Sequence, residues 1–180
     1  MMEELCYHII DIVQNSISVN SKNIKIKLKE SDKEDLILIE IEDDGKGMDA
    51  ETLRKVQDPF YTTKRGKKVG LGIPILKETA IHCEGSFKME SHVGKGTLVS
   101  AIFKRSNIDV PPIGKIKDTI LTSIVGNDHC NIDITYENDN GIFNISPKKI
   151  KEQIGDLHIT HPYVIKFLRE FIDKEITNLL

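Results

Sequence analysis

Ile24, Ile26 and Leu28 alternate with Lys25, Lys27 and Lys29, a period of two that fits a strand with one wet face. A charged turn, Ser31 to Asp35, follows, and Leu36 to Glu42 is then a more fully apolar stretch. The pair predicts an antiparallel hairpin whose second strand lies deeper in its sheet. Such a sheet needs helices over its apolar face, and the flanking segments supply them. From Glu3 to Val19, Leu5, Cys6, Ile9, Ile10, Ile12, Val13 and Ile17 gather on one side of a helical wheel, with His8, Asp11, Asn15 and Ser18 opposite.

The second hairpin strand stops at DDGKGMD, where Asp49 can cap a short helix through Val56. Asp58 to Val69 has neither helical nor strand period and carries four cations, so it reads as a loop. Gly70-Leu71-Gly72 then opens a helix that tolerates Pro74 only in its first turn and ends near Cys83, with Gly85 placed to terminate it. Ser86 to Ser91 and Thr97 to Phe103 form a second strand pair around HVGKGT. Residues 1–105 thus predict a two-layer α/β sandwich with a mixed sheet and its helices on one face. Residues 106–114, with Pro111-Pro112, read as a linker. Residues 115–180 predict a small α+β C-terminal domain: a helix from Lys115 to Val125, strands around Ile132 to Tyr136 and Ile142 to Ile145, a helix starting at Ser146-Pro147, and a final helix from Pro162 to Leu179. So small a unit should lean on the first.

With 39% apolar and 29% charged residues among 180, the chain excludes disordered and fibrous classes. Its formal net charge of -3 offers no global cationic field for nucleic acid or anionic lipid, so any anion site must be local. Cys6, Cys83 and Cys130 are too scattered for a disulfide scaffold or a zinc knuckle. No apolar run approaches the roughly 18 residues of a membrane span, and MMEELCYHII is too acidic for a signal peptide. A cytoplasmic protein with no membrane or nucleic-acid partner is expected.

Four features carry chemistry. Asp11 and Asn15 lie one helical turn apart, where a carboxylate and an amide oxygen could share a magnesium ion or an attacking water; alone, such a pair is an ordinary solvated face. In DDGKGM, Gly45 and Gly47 let backbone approach a ligand, and Asp44 is expected at a pocket floor, accepting a hydrogen bond from an exocyclic amine. Lys64, Arg65, Lys67 and Lys68 precede Gly70-Leu71-Gly72, a helix start suited to phosphate. Gly94-Lys95-Gly96-Thr97 is by itself a plain hairpin turn. No GxxxxGK[ST] occurs, which excludes a P-loop.

In this order, Asp-x-x-x-Asn on a helix, DxGxG after a strand, a basic aromatic loop ending in GLG, and GxGT before the last strand together resemble the GHKL superfamily of gyrases, histidine kinases and anti-sigma-factor kinases. The resemblance covers about residues 3 to 104. It implies a Bergerat-type ATP-binding fold, with ATP and Mg2+ as cofactors. By that likeness Asn15 binds the metal and Asp11 activates the nucleophile. Asp44 reads the adenine amine, with Gly45, Gly47 and Met48 on its wall and Thr97 on the far side. Phe60, Thr62, Thr63 and Lys64 match the lid, and Gly70, Leu71 and Gly72 the phosphate-facing helix start. Lys68 stands where histidine kinases often carry a further glycine, and Ser18 where a basic residue often follows the asparagine. With the nucleotide unit beginning almost at residue 1, no phospho-accepting helical hairpin is expected upstream. The expected activity is transfer of the γ-phosphoryl group of ATP to a separate, unidentified protein, or to water, in signal transduction. The alternative is a non-catalytic regulatory module that binds nucleotide.

Overall fold

The computed structural model describes residues 4–59, 71–127 and 129–180. Helix α1 (Leu5–Ser18) leads into strands β1 (Asn23–Ser31) and β2 (Leu36–Asp43), then helices α2 (Ala50–Lys55) and α3 (Gly72–His82), and strands β3 (Ser86–His92) and β4 (Gly96–Lys104). Helix α4 (Ile116–Val125), strands β5 (Asn131–Asn138) and β6 (Gly141–Ile145), and helices α5 (Pro147–Ile154) and α6 (Pro162–Thr177) complete the order.

All six strands among the described residues join one sheet in the order β3-β4-β2-β1-β5-β6. Neighbours pair antiparallel except β1 and β5, which run parallel with Ile24 opposite Ile132 and Leu28 opposite Tyr136. The alternation read from the sequence sets the faces. Ile24, Ile26 and Leu28 are buried beside Ile37, Ile39 and Ile41 of β2 and Val99, Ala101 and Phe103 of β4. The opposite face is wet and charged, with Lys25 paired to Glu42 and both Lys27 and Lys29 to Glu137. The architecture is therefore a two-layer sandwich with a mixed sheet.

The strands of 115–180 extend the first sheet instead of forming their own. Ile132, Ile134, Tyr136, Phe143 and Ile145 share one core cluster with Leu5, Ile39 and Phe103. The linker is likewise a packed strap: the Pro112 and Ile113 carbonyls accept the Leu5 and Cys6 N–H groups at 2.9 and 3.0 Å, satisfying two donors that a helix start leaves open. Two local readings change. The left-handed residue after α3 is Glu84 (φ 55), not Gly85; Gly85 is needed because a side chain there would overlap the Ile102 carbonyl. His8, read as part of a polar stripe, is buried.

Because the sheet is continuous, trimming β5 should weaken the whole chain. Ile132→Ala removes a fully buried side chain, and the expected loss is roughly 2–5 kcal/mol of unfolding free energy in a single urea transition. A two-step curve with only the second step shifted would show two separately folding units.

Candidate functional site

Strand β2 sends Ile37, Ile39, Ile41 and Asp43 to the same face, and all four are buried. The carboxylate of Asp43 therefore ends the strand pointing into the helix layer. Its Oδ2 accepts the Ser16 hydroxyl at 2.7 Å. Its Oδ1 accepts the Ser21 hydroxyl at 3.2 Å and the Gly45 N–H at 2.8 Å. A carboxylate has about four acceptor positions, so one, on Oδ2, is left over by these three bonds.

Asp44 turns the other way, as the period of two requires. Its Oδ1 accepts the Lys22 and Asn23 N–H groups at 2.7 and 2.9 Å, and its Oδ2 accepts the Asn23 side-chain amide at 2.6 Å. Desolvation pushes its pKa up, but the bonds from the Asn23 backbone and side chain and the Lys22 N–H outweigh it and hold the carboxyl below the usual range. The expectation that Asp44 lies at a pocket floor is corrected: it ties the turn to the start of β1, and Asp43 takes the inward position. Both signals for Asp43 were in the sequence. DxGxG counts back from Gly45 and Gly47 to Asp43, and the β2 alternation continues onto the same residue.

The turn after β2 rests on the β3–β4 turn. The Gly94 N–H donates to the Lys46 carbonyl at 2.7 Å, and the Met48 N–H to the Ser91 hydroxyl at 2.8 Å. Gly47 has φ +65, and a side chain there would overlap the His92 carbonyl, so only glycine fits. Ser91 also lies 2.9 Å from the Thr97 hydroxyl, and Thr97 is the cross-strand partner of Asp43. Asp43, Gly45, Met48 and Thr97 are thus brought together, held by Ser16, Ser21 and Ser91. No spacing rule marks these serines; Ser16 alone is flagged, by sitting on the sheet-facing side of α1.

At the other end, the half-buried Asp11 and Asn15 lie one turn apart on α1. The Asp11 carboxylate lies so close to Gly72 that a side chain at Gly72 would overlap its Oδ2. Gly72 begins α3, and the exposed Leu71 at its N-cap position makes no side-chain capping bond. Helix α1 therefore touches the α3 start through Asp11 and the β2 end through Ser16, five residues or about 7.5 Å apart along its axis. Phe60, Thr62, Thr63, Lys64 and Gly70 lie outside the described residues. Among the described residues, no three His, Cys, Asp or Glu side chains converge on a metal position, and no helix is long and apolar enough to cross a membrane. Burial raises the thiols of Cys6, Cys83 and Cys130 above their ordinary pKa, which makes them poor nucleophiles.

Residues 2–107 match the model of a family described as histidine kinase-, DNA gyrase B- and HSP90-like ATPase. Sporulation kinase C of Bacillus subtilis is 32% identical over 93 residues, covering 52% of this chain and 22% of that kinase. Sporulation kinase E of the same organism is 36% identical over 91 residues, covering 49% and 12%. Sensor kinase CckA of Brucella abortus is 32% identical over 96 residues, covering 49% and 10%. The chain thus spans less than a quarter of the length of each of these kinases. With a family match over more than half its length, on a sheet and helix layer of the matching architecture, this chain belongs to the histidine kinase-, DNA gyrase B- and HSP90-like ATPase family and carries its ATP-binding domain.

Proposed function

We propose that this protein binds Mg-ATP between the Asp43 end and the Gly72 end of α1 and transfers the γ-phosphoryl group to a separate protein or to water. The observation that carries the reading is Asp43: a buried carboxylate with an acceptor position on Oδ2 left over among the described residues, beside a turn whose glycine admits close approach. Asp43, in place of Asp44, is assigned the exocyclic amine of adenine. A charge-assisted bond of that kind is worth about 1.5–3 kcal/mol, or roughly 10- to 150-fold in affinity. Gly45, Gly47 and Met48 would form one wall of the base pocket, and Thr97 the other.

Asn15 would hold the metal. One amide oxygen suits magnesium, which takes few protein ligands and completes its shell with water and phosphate oxygens, and when bound it neutralises phosphate charge. Asp11, half-buried against the start of α3, would accept the proton of the attacking hydroxyl, imidazole or water. Gly70, Leu71 and Gly72 would face the phosphates with the N-terminal end of α3, whose N–H groups favour anions. Phe60, Thr62, Thr63 and Lys64 would close over them as a lid.

Titration calorimetry with Mg-ATP tests the base end. Asp43→Asn is expected to weaken binding at least about 10-fold, whereas Asp44→Ala, which loses only ties to β1, should stay within about threefold of wild type. The opposite ranking would return the adenine contact to Asp44. For the phosphate end, labelled ATP is the probe. Asp11→Asn should bind nucleotide normally but turn it over about 100- to 10,000-fold more slowly. Unchanged turnover would remove Asp11 from the chemistry, and a wild-type protein that binds ATP and leaves it intact would be a nucleotide-sensing module.

A further inference from the structure

The two margins of the sheet are built differently. Monomeric proteins blunt edge strands with charge, proline or a bulge. At one margin β3 carries the exposed pair Lys88 and Glu90, 2.9 Å apart. The other margin, β6, reads Gly-Ile-Phe-Asn-Ile from 141 to 145, with neither charge nor proline, and exposes Ile142. Helix α6 runs beside that bare margin. Its core stripe is Val164, Leu168, Ile172 and Ile176. On a wheel of 100° per residue, Arg169, Asp173 and Thr177 lie about 120° to one side, and they engage α4 through Asp118 and Lys117. About 120° to the other side, away from α4, lie Tyr163, Phe167 and Phe171, which are 77%, 43% and 36% exposed. The ring of Phe171 meets Phe143 of β6 at 6.0 Å, and Phe167 stacks on Phe171 at 6.2 Å.

An aromatic stripe thus continues outward from an unprotected strand edge. The platform is pinned, because the Asn138 and Asn140 amides both donate to the Leu179 carbonyl at 2.8 Å.

We infer that this margin is the interface with a second copy of the chain, in which β6 pairs antiparallel with the partner's β6 and the aromatic stripes of the two α6 helices meet across the dyad. A twofold axis brings a patch against itself. The neutral β6 places no charge along the shared ladder in that arrangement, whereas β3 carries Lys88 and Glu90 along its margin. The charges bordering the aromatic stripe, Lys166, Glu170 and Lys174, alternate in sign, so antiparallel helices can place Glu170 against a partner lysine. The exposed parts of the three rings and Ile142 amount to about 400 Å², roughly half of the 800 Å² per partner of a standard interface. The strand ladder and the rim would have to supply the remainder.

Sedimentation or light scattering on the full chain should report twice the monomer mass of 20.4 kDa. The surface double variant Ile142→Lys with Phe167→Glu should return it to monomer with an unchanged circular dichroism spectrum. Because all three native cysteines are buried, a short bis-maleimide should cross-link Ile142→Cys into a dimer and leave Lys88→Cys as a monomer. A wild type that stays monomeric at about 0.1 mM, a hundred times the concentration that half-fills a micromolar interface, overturns the inference. So does a dimer that survives the double variant, or cross-linking at position 88 and not at 142.

Discussion

A buried carboxylate is expensive unless hydrogen bonds compensate for its lost water, and the candidate site around Asp43 is organised around that requirement. Asp43 draws its compensation from three places: the Ser16 hydroxyl on α1, the Ser21 hydroxyl in the α1–β1 connection and the Gly45 N–H in the turn after β2. Satisfying one side chain therefore fixes a helix, a connection and a turn relative to the end of a strand. Thr97 on the neighbouring strand and Ser91 beyond it extend the same polar seam to β3 and β4. A group oriented this firmly before any ligand arrives loses little further freedom on binding.

The second half of the chain supports that arrangement without supplying any residue proposed for it. The strap carbonyls of Pro112 and Ile113 cap the start of α1, the helix that carries Asp11, Asn15 and Ser16. At the other end of the sheet layer, Asn131 on β5 donates to the Asn23 side chain at 3.1 Å, and Asn23 in turn donates to Asp44. A continuous hydrogen-bonded row thus joins the turn after β2 to the first residue of β5. Movement of β5, or of whatever binds it, has a short physical route to the turn after β2.

Most of the architecture was legible in the sequence because its signals are local. The Ile–Lys alternation of β1, the Asp49 cap of α2, Pro74 in the first turn of α3, and Ser146-Pro147 before α5 each reflect a rule that needs only near neighbours. Sheet membership of β5 and β6 was not legible in the same way. Parallel pairing of Ile24 with Ile132 joins residues more than a hundred positions apart, and nothing in either strand marks its partner. In the candidate site, Asp11, Asn15, Gly47 and Gly72, all proposed members, were legible as residue types at set spacings. His8 was misread because the wheel separates polar from apolar residues but cannot say that a neighbouring element covers a polar one.

Asp44, although it faces outward, adds to the contacts that fix which of the two aspartates faces inward. Two adjacent aspartates at the end of a strand must point to opposite faces, which also separates their charges. Which one faces inward depends on register, and a slip of one residue would exchange them. The β1–β2 register sets Ile24 against Asp43, and immediately beyond it Asp44 takes three hydrogen bonds from Lys22 and Asn23. Those bonds exist only in this register, so they bias the hairpin toward the one alignment in which Asp43 is buried. The outward aspartate thus adds to a register that the β1–β2 ladder already holds, and the doubled Asp, ambiguous as a string of letters, takes one orientation.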